Sequence, residues 1–266
     1  GDRAQTVNIS TMSAMVVAGA GVRVVKHGNR AASSKSGTAD CLEALGIDLS
    51  LPPEAVQAVA SRAGITFCFA QTFHPSMRHA AIPRRELGVP TVFNVLGPLT
   101  NPAEPTYSAI GVADLGMAPL VAQVLAERGG RAAVFRGDDG LDELTVSTTS
   151  TVWWVEGGRV ATYVVTPLEH GVQVAGLESL RGGDATHNAQ VVHDIFGGAA
   201  GPIRDAVLLN SGIALAVAGG VPVVDQASFD VALAAGMSLA ARAIDSGLAL
   251  DTLDRWRATT VAAAAR

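Results

Sequence analysis

A polar, cationic run follows an apolar stretch near the start of the chain. Residues 22–25 are mostly β-branched, and residues 26–38 contain lysine, histidine, asparagine, arginine, serine and threonine. Helical spacing of apolar residues follows over 39–46, so the pattern predicts a strand, a loop and a helix. Cations and hydroxyls before a helix N-terminus suit a phosphorylated, multiply anionic small molecule. The alternative is a solvated loop with a good helix cap.

A second group of polar residues lies ahead of that strand. Asn8, Ser10 and Thr11 precede the apolar helical segment 12–20, and Ser10 or Thr11 is predicted to be its N-cap. Side-chain oxygens beside helix N–H groups would form a second cradle for an anion or a metal phosphate. The simpler interpretation is an ordinary cap, since every helix needs one.

Four carboxylates follow a predicted strand at 132–135. They are Asp138, Asp139, Asp142 and Glu143. Ligands of α/β proteins gather where parallel strands end, and Mg²⁺ usually takes one or two protein carboxylates plus phosphate oxygens. The segment therefore predicts a magnesium–pyrophosphate site opposite the cationic loop; the alternative is an acidic surface turn.

A basic segment occupies residues 73–88. It contains three arginines and two histidines, which would serve an acidic ligand. The competing interpretation is an amphipathic helix with a solvated basic face.

Composition limits the class of protein. The chain has 266 residues, is 48% hydrophobic and carries a formal net charge of −5, which argues against general binding of nucleic acid. The two cysteines are expected to be reduced core thiols in a cytoplasmic protein, and no zinc-type spacing occurs. We find no signal peptide, and the apolar run 12–25 is too short and too interrupted to span a membrane.

The alternation of strands and helices predicts the fold class. We expect an α/β domain over 1–266, with a doubly wound, mixed but largely parallel sheet flanked by helices. Segments 145–155 and 160–165 are predicted to form a hairpin around Gly157 and Gly158.

Taken together and in this order, the motifs resemble those of the anthranilate phosphoribosyltransferases over essentially the whole chain. The resemblance rests on Asn8-Ile9-Ser10-Thr11, residues 26–34, Asp40 with residues 42–46, His74-Pro75 with Arg78-His79, residues 84–88, Phe93-Asn94 with residues 96–102, residues 140–143 and residues 205–210.

The resemblance implies a reaction. The family transfers phosphoribose from 5-phosphoribosyl-1-pyrophosphate (PRPP) to the amine of anthranilate and releases pyrophosphate, the second step of tryptophan biosynthesis from chorismate. It implies a Mg²⁺-dependent enzyme with small-molecule substrates, no nucleic-acid or membrane partner, and a homodimer for the full-length family member.

The resemblance also implies residue roles. Lys26, His27, Asn29 and Arg84 would be catalytic, and Ser10, Asp142 and Glu143 would bind Mg²⁺. Anthranilate would meet Asn29 and Arg84, with His27 and Gly97 nearby, and residues 74–102 would form the hinge and acceptor-site segment. The donor would contact Gly1, Asp2, Thr6, Asn8, Ile9, Ser10, Thr11, Lys26, His27, Gly28, Asn29, Arg30, Ala31, Ala32, Ser33, Ser34 and Thr38.

The sequence departs from the family pattern in a few places. Only Gly1 and Asp2 remain of the glycine-rich donor motif, and we expect the N-terminal helical domain that the hinge would join to be missing. Arg136 stands where the family often has histidine, and Thr38 where it often has serine or alanine.

Two other functions stay open. A pyrimidine-nucleoside phosphorylase has a related Lys-His-Gly loop, but Asn29 and the Asp142–Glu143 pair favour a pyrophosphate donor. A non-catalytic homologue that binds nucleic acid or a partner protein is the second alternative.

Overall fold

The computed structural model describes residues 4–30, 36–77, 86–87 and 93–265. Its helices are α1 (Ile9–Gly19), α2 (Thr38–Ala44), α3 (Pro53–Ala63), α4 (Ala70–Phe73), α5 (Phe93–Leu99), α6 (Ala118–Glu127), α7 (Ala185–Phe196), α8 (Pro202–Ala218), α9 (Gln226–Asp245) and α10 (Leu248–Ala264). Its strands are β1 (Val24–Gly28), β2 (Ile65–Phe69), β3 (Tyr107–Gly111), β4 (Arg131–Gly137), β5 (Ser150–Glu156) and β6 (Arg159–Val165). Short 3₁₀ helices cover Pro75–Met77, Pro167–His170 and Leu177–Leu180.

The described strands form two sheets. β1 pairs with β2 in parallel, from Val24 opposite Ile65 to Gly28 opposite Phe69. Helix α3 begins after Pro52 and ends at Gly64, whose φ of 77° turns the chain directly into β2. This crossover places the end of β1, and with it the start of the cationic loop, at the carboxyl edge of the small sheet.

The second sheet has the order β3–β4–β5–β6. β3 and β4 are parallel, whereas the β4–β5 and β5–β6 pairs are antiparallel. The predicted hairpin is confirmed, and Gly157 and Gly158 both take positive φ, as a tight turn between twisted strands requires. Strand β5 begins at Ser150 and not at 145, because the hydroxyl residues before it bind the acidic loop described below.

The main hydrophobic core lies between the sheets and a layer of long helices. Helices α8 and α9 cross very closely, since a Cβ added to Gly236 would lie 2.1 Å from the carbonyl oxygen of Gly212. Among the described helices, α9 is the one that is long and apolar enough to cross a membrane. Its Phe229, Leu233 and Ile244 are buried against the rest of the domain, as in a core helix.

The predicted class is confirmed as mixed α/β with helices flanking the sheets. The sheet itself differs from the expectation of one largely parallel sheet: the described strands fall into two sheets, and two of their four pairings are parallel. The hairpin adds its two strands in antiparallel order because a two-residue turn can only reverse the chain.

Candidate active site

The centre of the site is the contact between β1 and the first turn of α1. The Lys26 ammonium donates a hydrogen bond to the Ser10 hydroxyl at 3.1 Å. Burial lowers the pKa of Lys26 to about 8, and the negative charges of Glu143 and Asp142 oppose that shift. One ammonium therefore lies in the field of the three residues expected to bind the metal.

Helix α1 begins earlier than the sequence predicted. Its first residue is Ile9, with Asn8 as N-cap, so the expectation that Ser10 or Thr11 caps the helix is wrong. The physical reason is the burial of Ile9, which belongs to the core and extends the helix by a turn. Ser10 thus lies inside the first turn, where its exposed side chain reaches Lys26.

A side-chain partner on another helix holds Asn8. Its Oδ1 accepts a hydrogen bond from Asn188 Nδ2 at 2.9 Å, and Asn188 Oδ1 accepts one from the Gly183 N–H at 2.8 Å. Within the described part of the chain the Asn8 side chain makes no capping hydrogen bond. No side-chain cap therefore competes for this turn, although the N–H groups of Ile9 and Thr11 already donate to the carbonyl oxygens of Val7 and Asn8.

Thr11 and Thr6, two further predicted donor residues near this turn, have different surroundings. Thr11 is fully buried, and its hydroxyl has no hydrogen-bond partner among the described residues. Thr6 forms a bridge with Arg181, and a Cβ on Gly182 would lie 2.7 Å from the Thr6 carbonyl oxygen. The segment 180–182 thereby fixes the chain that leads into α1.

The acidic pair lies on a braced loop between β4 and β5. Asp139 accepts hydrogen bonds from the hydroxyls of Thr145 and Ser147, and Asp138 accepts them from Thr149 and Thr151. These contacts keep Asp138 and Asp139 within the loop, whereas the charges of Asp142 and Glu143 act on the Lys26 ammonium.

The backbone of this loop is also fixed from outside. Arg136 donates to the carbonyl oxygens of Ala113 and Gly137 at 2.7 and 3.0 Å, so its guanidinium acts as a brace. A Cβ on Gly111 would lie 1.5 Å from the Asp142 carbonyl oxygen. The loop crosses the end of β3 at a point where only glycine fits.

The donor set fits Mg²⁺. Ser10, Asp142 and Glu143 supply hard oxygen atoms, and Mg²⁺ is usually held by one or two carboxylates together with substrate phosphates. No group of three or more histidine, cysteine or acidic residues gathers in a metal-binding cluster in the described ranges, which is the pattern that zinc would need. A cation at this position would take over the counter-charge that Lys26 now provides.

Two histidines meet beside the cationic loop. His27 Nε2 lies 2.9 Å from His74 Nε2, and Gly97 lies against the His27 ring, since a Cβ there would be 3.5 Å from its Cε1. Burial, together with the nearby His74 and Lys26, lowers the pKa of His27 to about 4. His27 is therefore neutral near pH 7 and can donate or accept in the contact with His74, depending on its tautomer.

The beginning of the loop after β1 is held by ionic contacts. Arg30 forms a bidentate pair with Glu43 at 2.6 and 2.7 Å and bonds to Asp40 at 3.0 Å, and these carboxylates raise its pKa. Asn29 accepts a hydrogen bond from the Arg30 N–H at 2.8 Å. Arg30, expected to contact the donor, is thus engaged by this chain's own carboxylates.

Two more predicted donor residues lie at the root of the loop. Gly28 ends β1 against the ring of Phe67, and Thr38 opens α2 close to Gly28. Seven predicted residues lie outside the described ranges: Gly1, Asp2, Ala31, Ala32, Ser33, Ser34 and Arg84.

Sequence reasoning did not predict the contacts of several residues that shape the site. Among them are His74, which contacts His27, Asn188, which holds Asn8, and Asn101, whose Nδ2 donates to the Val25 carbonyl oxygen at 3.0 Å. Asn210, which binds the backbone of Leu144, is a fourth. Three of these four stood within motifs that carry the resemblance, but a motif alone does not say which backbone a side chain binds.

The fold and the site define a glycosyltransferase. Residues 1–250 match the model of the glycosyl transferase family, a/b domain. The anthranilate phosphoribosyltransferase of Nocardioides sp. is 58% identical over 263 residues, which cover 98% of this chain and 75% of that protein. The enzyme of the same name from Arthrobacter sp. is 57% identical over 98% of this chain and 73% of its own length.

Solved structures show the same relationship. The anthranilate phosphoribosyltransferase of Thermus thermophilus superposes with a TM-score of 0.89 at 42% identity, over 98% of this chain and 75% of that one. The Saccharomyces cerevisiae enzyme in complex with PRPP and Mg gives 0.88 at 28% identity, over 98% and 72%. The chain belongs to the anthranilate phosphoribosyltransferase family, and it spans about three quarters of the length of these relatives.

Proposed function

We propose that this chain transfers the phosphoribosyl group of PRPP to the amine of anthranilate, giving N-(5-phosphoribosyl)anthranilate and pyrophosphate. The bond from ribose C1 to the pyrophosphate oxygen breaks, a bond from C1 to the aniline nitrogen forms, and the nitrogen loses a proton. The observation that carries the proposal is the Lys26 ammonium, which is hydrogen-bonded to Ser10 and lies within the electrostatic influence of Asp142 and Glu143.

Lys26 is suited to stabilise the negative charge that develops on the departing pyrophosphate. Because the ammonium is already in place before the reaction, the protein does not have to reorganise when the bond to pyrophosphate breaks. Ser10, Asp142 and Glu143 would hold Mg²⁺, which when bound neutralises phosphate charge. The positive end of the α1 dipole, beside Ser10, would favour phosphate oxygens at this position.

The acceptor side depends on Asn29, His27, Gly97 and Arg84. Neutral His27 can bond to a polar group without adding charge, and its contact with His74 orients the ring. Arg84, beyond the described residues, would pair with the anthranilate carboxylate as a planar fork. The aniline lone pair is available at neutral pH, so the main task of these residues is placement.

Further properties follow from the same proposal. We expect turnover to depend on Mg²⁺, the protein to act in the cytoplasm, and the full-length family member to be a homodimer. The structure of the Saccharomyces cerevisiae enzyme in complex with 4-fluoroanthranilate supports an aromatic acceptor.

The test is a fluorescence assay of anthranilate consumption with PRPP and Mg²⁺. The isosteric double variant Asp142→Asn/Glu143→Gln should lose at least about 100-fold in turnover, because it removes the charge expected to hold the metal. Glu127→Gln, an exposed carboxylate on α6, is the matched control and should behave as wild type. Equal activity of the double variant, or Mg²⁺-independent phosphorolysis of thymidine by the wild type, would refute the proposal.

A further inference from the structure

We propose that Asn210 is a positioning residue that sets the place of the acidic pair. Asn210 lies on α8, 66 residues away in sequence from the loop between β4 and β5. Its Oδ1 accepts a hydrogen bond from the Leu144 N–H at 2.9 Å, and its Nδ2 donates to the Leu144 carbonyl oxygen at 2.8 Å. Leu144 directly follows Glu143, so this side chain holds the backbone next to the predicted metal ligands.

The side-chain amide of Asn210 has one orientation that satisfies its hydrogen bonds. The second Nδ2 hydrogen goes to the Ala206 carbonyl oxygen at 2.8 Å, one turn earlier on the same helix. Both amide hydrogens and the amide oxygen are therefore used, and the orientation of the amide is the one that satisfies all three bonds. The amide forms the two-point pair with Leu144 that another strand would form.

The hydrogen bonds between Asn210 and Leu144 matter because both residues are buried. Asn210 is 5% exposed and Leu144 fully buried, so water cannot replace either bond if the amide is lost. The other braces of the loop bind its flanks, at Asp138 and Asp139 before the acidic pair and at hydroxyl residues after it. Asn210 binds both backbone groups of Leu144, the residue that follows Glu143.

On its opposite side, the loop packs tightly against the end of β3. The Asp142 carbonyl oxygen lies so close to Gly111 that a Cβ there would be 1.5 Å away. The acidic pair is therefore held between the end of β3 and the Asn210 amide on α8. Loss of the amide should let the backbone of 142–144 move away from β3, since that is the side no longer fixed.

Hydrogen–deuterium exchange on the protein without substrates tests the clamp itself. Asn210→Asp keeps the shape but loses both donors, and Asn210→Leu loses all three bonds. In Asn210→Leu, which removes the acceptor of the Leu144 N–H, we expect the Leu144 amide to exchange at least about tenfold faster than in the wild type. Asn210→Asp keeps that acceptor and tests the two lost donor bonds through the Mg²⁺ dependence. Val217→Ala, a buried residue two turns further along α8, is the control for loss of core packing and should leave that amide protected.

A metal titration tests the consequence, which rests on the proposed function. With PRPP and anthranilate saturating, the Mg²⁺ concentration for half-maximal rate should rise about tenfold in the Asn210 variants, and kcat at saturating Mg²⁺ should fall much less. Val217→Ala should keep the wild-type Mg²⁺ dependence even if its Tm drops as far as that of the Asn210 variants. A structural role alone would lower Tm without moving the Mg²⁺ dependence.

The outcomes separate the two proposals. Wild-type protection of Leu144 in Asn210→Leu, or equal loss in Val217→Ala, would overturn the clamp. Faster exchange with unchanged Mg²⁺ dependence in an active enzyme would overturn its role in placing the acidic pair. An inactive wild type would count against the proposed transferase function, whereas the exchange data would still decide whether Asn210 fixes the loop.

Discussion

The Lys26 ammonium nitrogen lies 3.1 Å from the Ser10 hydroxyl oxygen, which joins the end of β1 to the first turn of α1. Asp142 and Glu143 act on the same ammonium, although burial still lowers its pKa to about 8. Lys26 thus has two partners of different kind: a hydroxyl that fixes its position and two carboxylates that favour its charge.

Replacement of Lys26 by methionine should separate these effects. We expect Lys26→Met to lose about 10²–10³-fold in turnover, the usual cost of removing one charge-stabilising group. Mg²⁺ should raise the Tm of the variant more than that of the wild type, because the carboxylates have lost their competing cation. Arg23→Met, which removes an exposed charge just before β1, is the control. Turnover within threefold of wild type would show that Lys26 has no part in the reaction.

The histidine pair predicts a pH dependence of stability. The folded pKa of His27 is about 4, whereas an unfolded histidine titrates near 6.5. Between these values the unfolded chain binds a proton that the folded chain does not, so the free energy of unfolding decreases as the pH falls from about 6.5 to 4. Above pH 7 neither state is protonated there, and this contribution is constant.

The groups that face His27 are His74 and Lys26, both of which disfavour its protonation. His27→Gln, which stays neutral, should therefore lose less stability than the wild type over that interval in urea titrations at stepped pH. The control is His193→Gln, an exposed histidine on α7, which should follow the wild-type curve. Parallel curves for His27→Gln and wild type between pH 6.5 and 4 would contradict the low pKa.

The ion pairs of Arg30 predict a competition with substrate. If Arg30 is to bind a phosphate of PRPP, its guanidinium must leave Glu43 and Asp40, which now hold it. Glu43→Gln weakens that hold, so we expect the KM for PRPP to decrease a few-fold with kcat unchanged. Exposed ion pairs contribute little to folding, and Tm should hardly move. An unchanged or higher KM would mean that the pair with Glu43 helps to form the donor site.

Much of the site could be predicted because its chemistry is local in sequence. The strand–loop–helix around Lys26 and the acidic pair after a strand each follow from a short pattern of residue types. Thr145 and Thr149 are predicted to lie in a strand, since β-branched residues favour one. Their bonds to Asp139 and Asp138 outweigh that preference.

The residues that sequence reasoning missed act over long separations. Asn188 reaches Asn8 across 180 residues, and Asn210 reaches Leu144 across 66. Neither distance leaves a periodic or compositional trace, because a side-chain amide can bind any backbone that the fold brings to it. The start of α1 was missed for a related reason: the burial of Ile9, a tertiary effect, decides where the helix begins.

The contact between Gly111 and Asp142 gives the sharpest test of how the acidic loop is supported. Gly111→Ala would place a methyl group 1.5 Å from a carbonyl oxygen, and no flexible side chain lies there to move aside. The backbone of the loop must shift, which should lower the free energy of unfolding by about 1–3 kcal/mol, as overpacking does.

Because the shift acts on Asp142 itself, turnover in Gly111→Ala should fall at least tenfold. The Mg²⁺ concentration for half-maximal rate should rise. Gly116→Ala is the matched control, since its Cβ would meet only the side-chain oxygen of Asp114 at 3.3 Å. It should stay within about 0.5 kcal/mol of wild type in urea unfolding, as surface substitutions usually do, and keep full activity. If Gly111→Ala were as stable and active as Gly116→Ala, the loop would have room to move, and the acidic pair would not depend on the end of β3 for its position.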